Sequence, residues 1–203
     1  GAYDEAEEQL LAAEQLVTDR VHRAEVEGKL GALAFKRGDI PTARRHLEGA
    51  MARLGRPVPR VFAWLLVCLT WELGVQVVHT AFPRLTGRRD PDGREEDFLA
   101  MRLHSRLAYL YWFYSGKVTC AWTHLRGLNL AERYPTSAEL GQAYSEHAPV
   151  ATMVPLFGRA LKYAKRSQEI RRDGGDIWGQ GQSQSFAGVA LYAASRFDEA
   201  EEA

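Results

Sequence analysis

The segment Gly38-Asp39-Ile40-Pro41-Thr42-Ala43 has two further copies in this 203-residue chain, at residues 1–6 (Gly-Ala-Tyr-Asp-Glu-Ala) and 195–200 (Ser-Arg-Phe-Asp-Glu-Ala). Each copy has a small residue, a turn residue, a large apolar residue, two variable residues and an alanine. A small residue closes one helix, the apolar residue anchors the next, and alanine one turn later lets two helices approach closely. The repeated segment therefore predicts antiparallel helix pairs.

Apolar residues recur at helical spacing through most of the remaining chain. Further helices are predicted over residues 98–114, 118–133 and 156–172. A capping box at residues 136–139 is expected to open another helix, and a final hairpin is expected to begin near Ile177. Together these segments predict an all-α fold, an α-α superhelix or solenoid of about five antiparallel helix pairs.

Residues 61–81 form a long apolar stretch, close to the ~20 residues that a bilayer span requires. Glu72, Gln76 and His79 interrupt this stretch. A carboxylate in the middle of a membrane helix is costly, whereas a solenoid helix between two neighbours is also apolar around most of its perimeter. We therefore expect a helix that its neighbours bury, and no membrane partner.

The domain organisation is expected to be one helical repeat region over residues 1–203. First repeats occupy residues 1–82, and further helical hairpins occupy residues 97–203. The polar segment 83–96 contains Pro and Gly and is expected to form an exposed loop. Both chain ends lie inside a predicted hairpin, so we expect an excerpt truncated at both ends, whose uncovered end helices allow a homodimer.

Composition and charge exclude several classes of protein. The chain has 26 Lys and Arg against 26 Asp and Glu, and this zero net charge argues against a nucleic-acid partner. Cys68 and Cys120 are too few for a disulfide framework, which favours the reducing cytoplasm. The acidic N-terminus at residues 1–9 does not resemble a signal peptide.

No pattern of catalytic or metal-ligating residues stands out. The histidines lack the i, i+4 and His-Glu spacings of helical metal sites; they are His22, His46, His79, His104, His124 and His147. Phosphate-binding and acyl-transfer motifs are also missing. A hydrolase acting through the acids at 95–97 is disfavoured, because adjacent acids on a polar loop are solvated. We expect no enzyme activity, no metal and no cofactor, and a deep polar pocket of converging acids and histidines would contradict this view.

The hairpin around the second copy resembles the tetratricopeptide repeat family, whose unit is a 34-residue helix-turn-helix with small residues in both helices. Leu30 to Pro57 is the best match, with Gly31 and Ala50 at small positions. Glu27 replaces the tryptophan that is usual in the first helix. The resemblance implies a binding scaffold with a concave groove.

A wider resemblance involves residues 125–140 and 54–59, which are similar to the helical region of large bacterial signalling ATPases of the AAA/STAND type. In such proteins a nucleotide-binding switch domain precedes a long repeat region, and a nucleotide cyclase or Ser/Thr kinase domain is often attached. The similarity spans most of residues 38–203 and implies a bacterial regulatory parent. ATPase, cyclase or kinase activity would lie outside this chain, which lacks the nucleotide-binding motif.

The repeat frame places a partner-binding surface on the inner face of the first helices. Aromatic and Arg side chains usually supply binding energy. The residues that the frame directs to this concave face are Arg102, Tyr109, Trp112, Phe113, Gln142, Glu146, Gln182, Ser185 and Tyr192. Packing of Trp112 and Phe113 against the helix of residues 61–81 is the alternative.

Two functions follow from these expectations. The first is a non-catalytic scaffold for a protein or peptide partner, or for other domains of the same chain, that relays a signal. The alternative is a small-molecule sensor, in which Trp and Tyr side chains of residues 109–122 line an apolar pocket between helices.

Overall fold

A computed structural model describes residues 1–87, 89–92 and 94–202. Within these residues the chain is all-helical, with ten α-helices, one short 3-10 helix and no strand, so the all-α prediction is confirmed. The α-helices are α1 (Ala2–Leu16), α2 (Arg20–Lys36), α3 (Ile40–Arg53), α4 (Phe62–Ala81), α5 (Glu95–Tyr114), α6 (Lys117–Ala131), α7 (Ala138–Ala151), α8 (Phe157–Asp173), α9 (Ile177–Ala193) and α10 (Phe197–Glu202), and the 3-10 helix is Pro83–Leu85.

Short polar side chains set where several helices begin. Asp39 accepts a hydrogen bond from the backbone N–H of Thr42 at 3.1 Å, so the second copy of the repeated segment is a capped helix start. Asp19 and Asp176 cap α2 and α9 in the same way. At α7 the cap is Ser137, one residue later than a capping box at 136–139 requires, and it accepts from the N–H of Leu140 at 3.2 Å.

The chain divides into two compact units. The first unit comprises residues 1–74 and 92–125. In it α2 packs against α1, α3 and α5, and α3 packs against α5. The helices approach closely at glycines: a Cβ on Gly31 would lie 2.8 Å from Cγ of Leu47, and a Cβ on Gly28 would lie 2.5 Å from Cδ2 of Leu103. Gly31 is one of the small residues that predicted the hairpin of α2 and α3.

Polar contacts also join α5 to the preceding helices of the first unit. The hydroxyl of the buried Tyr111 donates to Glu48 Oε1 at 2.7 Å, and burial raises the pKa of this phenol. Asp97 is buried and forms an ion pair with Arg56. The expectation that the acids at 95–97 are solvated loop residues is therefore wrong for Asp97, which belongs to the first turn of α5.

The second unit comprises residues 75–91 and the chain from Arg126 onward. In it α7 packs against α8 and α9, α8 against α9, and α9 against α10. Alanines make up the buried centre, which lets the helix backbones come close; they are Ala148, Ala151, Ala160, Ala164 and Ala190. The Ser167 hydroxyl donates to the Gly141 carbonyl at 2.6 Å and joins α8 to α7.

Helix α4 differs from the expectation of a helix buried by its neighbours. Only 17% of its apolar window is buried, so that prediction is wrong. The exposed side chains include Phe62, Trp64, Val67, Trp71 and Val77, whereas Leu65, Glu72 and Gln76 are buried. Residues 65, 72 and 76 share one face of a helix, so the polar residues that interrupt the apolar stretch lie on its covered side.

By length and composition α4 is also long and apolar enough to cross a membrane. It has 20 residues and a mean hydropathy of 1.4 in its most apolar window, and it is the only such helix among the described residues.

Candidate functional site

The candidate site is a cavity of about 670 Å³ inside the second unit. Three parts of this unit form its walls: the end of α4 with the segment after it, the stretch from the residue after α6 into α7, and one side of α8. The lining residues are His79, Thr80, Pro83, Thr86, Gly87, Glu132, Tyr134, Pro135, Thr136, Leu140, Tyr144, Gly158, Arg159, Lys162, Tyr163, Arg166, Glu169 and Ile170.

The segment after α4 is held against residues 132 and 133 by its backbone. The N–H of Gly87 donates to the carbonyl of Glu132 at 2.8 Å, and the N–H of Arg89 donates to the carbonyl of Arg133 at 2.9 Å. Gly87 has φ +70°, a left-handed conformation that favours glycine. Among the described residues 83–92 the side chains are mostly exposed, yet the backbone provides one wall of the cavity. Arg88 and Gly93, also part of the predicted loop, lie outside the described residues.

A buried carboxylate, Glu132, lies on the inner wall. Its Oε2 accepts from Nε2 of Gln76 at 2.8 Å and lies 2.7 Å from Nδ1 of His79, and its Oε1 accepts from the hydroxyl of Tyr163 at 3.4 Å. Burying a carboxylate is costly unless hydrogen-bond donors replace the lost water. Side chains from α4 and α8 supply these donors. Glu132, the residue after α6, therefore links the end of α4 to α8.

Arg159 is, with Glu132, the second residue around which the hydrogen bonds of the inner wall are arranged. Its guanidinium donates to His147 Nε2 at 2.9 Å, to Thr80 Oγ1 at 2.7 Å and to the Tyr163 hydroxyl at 3.1 Å, and it also donates to Gln76 Oε1. Because Nε2 of His147 accepts a hydrogen bond, this ring nitrogen carries no proton. Gln76 and Tyr163 contact both Arg159 and Glu132, and the positive charge of Arg159 therefore offsets the buried negative charge.

Two tyrosines complete the inner wall. The rings of Tyr144 and Tyr163 meet edge to face, with centroids 4.9 Å apart. Burial, followed by the nearby charge of Glu132, raises the pKa of both phenols. Both hydroxyls therefore stay protonated at neutral pH, and that of Tyr163 donates to Glu132.

One face of α8 presents positive charges to the cavity. These are Arg159, Lys162 and Arg166, which are spaced i, i+3, i+7 along the helix. Lys162 and Arg166 are exposed and form no ion pair with the described part of the chain. Glu169 is the exposed acid of the lining. This arrangement suits the binding of a polar ligand, and no cluster of three or more metal-ligating side chains occurs in the described residues.

The predicted partner-binding residues fall into separate groups, and none of them lines the cavity. In the first unit, Tyr109 is 52% exposed and Phe113 59%, with ring centroids 5.3 Å apart. Trp112 is half-buried, and the Lys117 ammonium lies 3.9 Å from its ring centroid. The alternative, packing of Trp112 and Phe113 against the helix of residues 61–81, stays a prediction. Arg102 is exposed on the same helix.

In the second unit, three predicted residues are brought together by the buried Arg171. Its Nη2 donates to Gln182 Oε1 at 3.0 Å and also to Gln142, which in turn donates to Glu146 Oε1 at 2.6 Å. Burial lowers the pKa of Arg171. Gln142, Glu146 and Gln182 thus already form an internal network that joins α7, α8 and α9.

The remaining predicted residues, Ser185 and Tyr192, are exposed on α9. The ring of Tyr192 meets that of Phe197 with centroids 5.3 Å apart.

The aromatic side chains of the predicted pocket at residues 109–122 differ in burial. Tyr111 and Trp122 are buried in the first unit, whereas Tyr109 and Tyr114 are exposed. The ring of Trp122 meets that of His104 edge to face, with centroids 6.1 Å apart. The cavity described above is lined by residues of the second unit.

Sequence reasoning missed the residues that build the cavity, chiefly Gln76, Glu132, Arg159 and Tyr163. One signal was available, because residues 72, 76 and 79 place polar side chains at i, i+4, i+7 within an apolar helix. Their common face indicates a buried polar partner elsewhere in the chain.

Comparison with known proteins adds no relative. No protein-family model matches the sequence, and no curated protein and no solved structure shows a significant similarity to it.

Proposed function

We propose that this chain is a non-catalytic helical scaffold, similar to tetratricopeptide repeats, within a larger bacterial regulatory protein. It binds a protein or peptide partner, or other domains of the same protein, in the cytoplasm and relays a signal. The packing of α1 on α2, α2 on α3, α7 on α8 and α8 on α9 supports this proposal, and α7 also contacts α9. Stacked helix pairs of this kind leave extended faces for binding.

The observation that carries the proposal is a cluster of four aromatic rings in the first unit, here called the aromatic surface: the half-buried Phe35 and the exposed Tyr109, Phe113 and Tyr114. Phe35 lies 5.7 Å from Tyr109 and 6.5 Å from Tyr114 between ring centroids. These edge-to-face contacts hold the rings in place before any partner arrives. Rigid, exposed aromatic side chains are the residue types that dominate binding energy at protein interfaces.

A positively charged side chain extends the aromatic surface. Arg102, Tyr109 and Phe113 are spaced i, i+7, i+11 along α5, so they share one exposed face of the helix. Arg is the third residue type that is enriched among interface hot spots. An apolar segment of a partner would complement the rings on this face.

The test measures partner binding by the full-length protein that contains this chain. The double variant Tyr109→Ala/Phe113→Ala should lose roughly tenfold or more in affinity for its partner, as removal of interface anchors does. Trp178→Ala is the control, since Trp178 is an exposed aromatic residue on α9 of the second unit and does not belong to the aromatic surface. Wild-type affinity in the double variant would show that the aromatic surface is not the binding face.

A second candidate function, a small-molecule sensor, is favoured by the cavity of the second unit. Its volume of about 670 Å³ lies within the range typical of ligand pockets, and its inner wall is fixed by hydrogen bonds. A thermal-shift screen of metabolites on the chain tests this function. Gly158→Leu adds bulk at the cavity wall, where a Cβ would meet no atom within 4 Å, and should weaken binding of any hit. A screen without any stabilising compound would count against the sensor.

A further inference from the structure

We propose that the cavity of the second unit binds a small organic anion through carboxylate or phosphate oxygens. The inference rests on the sensor function and specifies the chemistry of its ligand. It starts from the three cations, Arg159, Lys162 and Arg166, that line the cavity from one face of α8. Converging cations with hydrogen-bond donors are the usual means by which proteins recognise carboxylates and phosphates.

The acidic side chains of the cavity determine which of these cations can bind an anionic ligand. The lining contains the carboxylates Glu132 and Glu169 beside the three cations. Glu132 is buried and already occupied by Gln76, His79 and Tyr163, and Arg159 binds two of these same partners. Glu132 and Arg159 therefore largely offset each other, and both serve to hold the inner wall.

Lys162 and Arg166 remain as the cations with unused donors. Both are exposed, one turn apart on α8, and neither pairs with an acid in the described part of the chain. Glu169 is the exposed acid of the lining, and water and salt screen its charge and those of the two exposed cations alike. Two cations against one acid leave a net positive charge at the outer cavity, which attracts an anion.

The inner wall behind these cations is polar, but its hydroxyl protons are already used. Tyr163, Thr80 and Thr86 donate to Glu132, to the Gln76 carbonyl and to the Pro83 carbonyl, so Lys162 and Arg166 supply the hydrogen-bond donors for a ligand. The cavity volume exceeds what one phosphate ion fills, so the ligand carries a further polar or aromatic part beside its anionic group. An organic anion such as a polycarboxylate or a phosphorylated metabolite meets both requirements.

Isothermal titration calorimetry at constant ionic strength tests the inference with three probes: citrate for carboxylates, pyrophosphate for phosphates, and glucose as a neutral ligand. The test variant is Lys162→Gln/Arg166→Gln. The control is Lys165→Gln/Arg172→Gln, which removes the same charge from exposed positions of α8 outside the cavity lining. Citrate or pyrophosphate should bind the wild type and the control equally, and the test variant roughly tenfold or more weakly.

Each other outcome contradicts a stated part of the proposal. Equal binding by the test variant and the wild type, or equal loss in both double variants, would mean that anions do not use the cavity cations. Binding of glucose without either anion would leave a sensor whose ligand is neutral. If none of these probes and no compound of the metabolite screen binds, the sensor function fails together with the anion inference, while the scaffold function stands on its own test.

Discussion

At the scale of single residues, Gly28 and Gly181 should respond in opposite ways to the same substitution. A Cβ on Gly28 would lie 2.5 Å from Cδ2 of Leu103, a side chain that is fully buried and has no space to move, whereas a Cβ on Gly181 meets no atom within 4 Å. Gly28→Ala should lower the free energy of unfolding by about 1–3 kcal/mol through overpacking. Gly181→Ala should raise it by about 0.5–1 kcal/mol through helix propensity. Urea denaturation followed by circular dichroism measures both, and stabilisation by Gly28→Ala would contradict the close approach of α2 and α5.

A second residue-scale prediction concerns pH. Burial lowers the pKa of His124 to about 4, from 6.5 in the unfolded chain. Below pH 6.5 the unfolded state therefore binds a proton that the folded state excludes until about pH 4. The free energy of unfolding should fall as pH drops through this window, by up to about 3 kcal/mol from this one side chain. Urea titrations at pH 7, 5.5 and 4.5 measure the slope, and His124→Gln should reduce it. An unchanged slope in that variant would mean that His124 is accessible to protons.

At the scale of elements, substitutions on α4 test whether one of its faces is exposed and the other buried. Trp64 and Trp71 are exposed, so Trp64→Gln/Trp71→Gln should change the free energy of unfolding by no more than about 0.5 kcal/mol. The same variant should bind less of a hydrophobic dye such as ANS, because it removes apolar surface. Leu65→Gln, on the buried face, is the contrasting variant and should cost about 2 kcal/mol or more. A large loss of stability in the double Trp variant would show that this face is covered.

Helix α4 also marks the limit of what local sequence predicts about elements. Small residues at Gly31 and Ala43, with the Asp39 cap between them, were sufficient to predict the hairpin of α2 and α3, because turn chemistry and close packing are local properties. Apolarity predicted that residues 61–81 form a helix but not which face is covered. Hydrophobicity measures the cost of exposure, whereas coverage depends on neighbours that are distant in the chain.

At the scale of the whole molecule, sequence patterns could not predict the cavity, because it also depends on contacts between distant parts of the chain. Its inner wall joins residues 76–80, Glu132, His147 and the start of α8, which lie far apart along the chain. Periodicity relates residues within one helix, so it indicated that residues 72, 76 and 79 share a face but not that Glu132 meets them. The repeat pattern likewise predicted binding residues on α5, α7 and α9 and none on the cationic face of α8.

The independence of two buried polar networks in the second unit can be measured. Glu132 and Arg159 share the partners Gln76 and Tyr163, whereas Arg171 bonds to Gln142, Ser145 and Gln182. Glu132→Ala should cost about 2–4 kcal/mol, because it leaves buried donors without an acceptor.

In a double-mutant cycle, Arg159→Ala added to Glu132→Ala should cost less than the sum of the two single changes, by at least about 1 kcal/mol, since the first change has already broken the shared contacts. Arg171→Ala added to Glu132→Ala should be additive within about 0.5 kcal/mol, since the two residues share no hydrogen-bond partner. Urea denaturation of the three single and two double variants measures both couplings. Additive effects of the Glu132 and Arg159 substitutions would mean that Gln76 and Tyr163 do not link these residues. That result would contradict the hydrogen-bonded inner wall of the cavity.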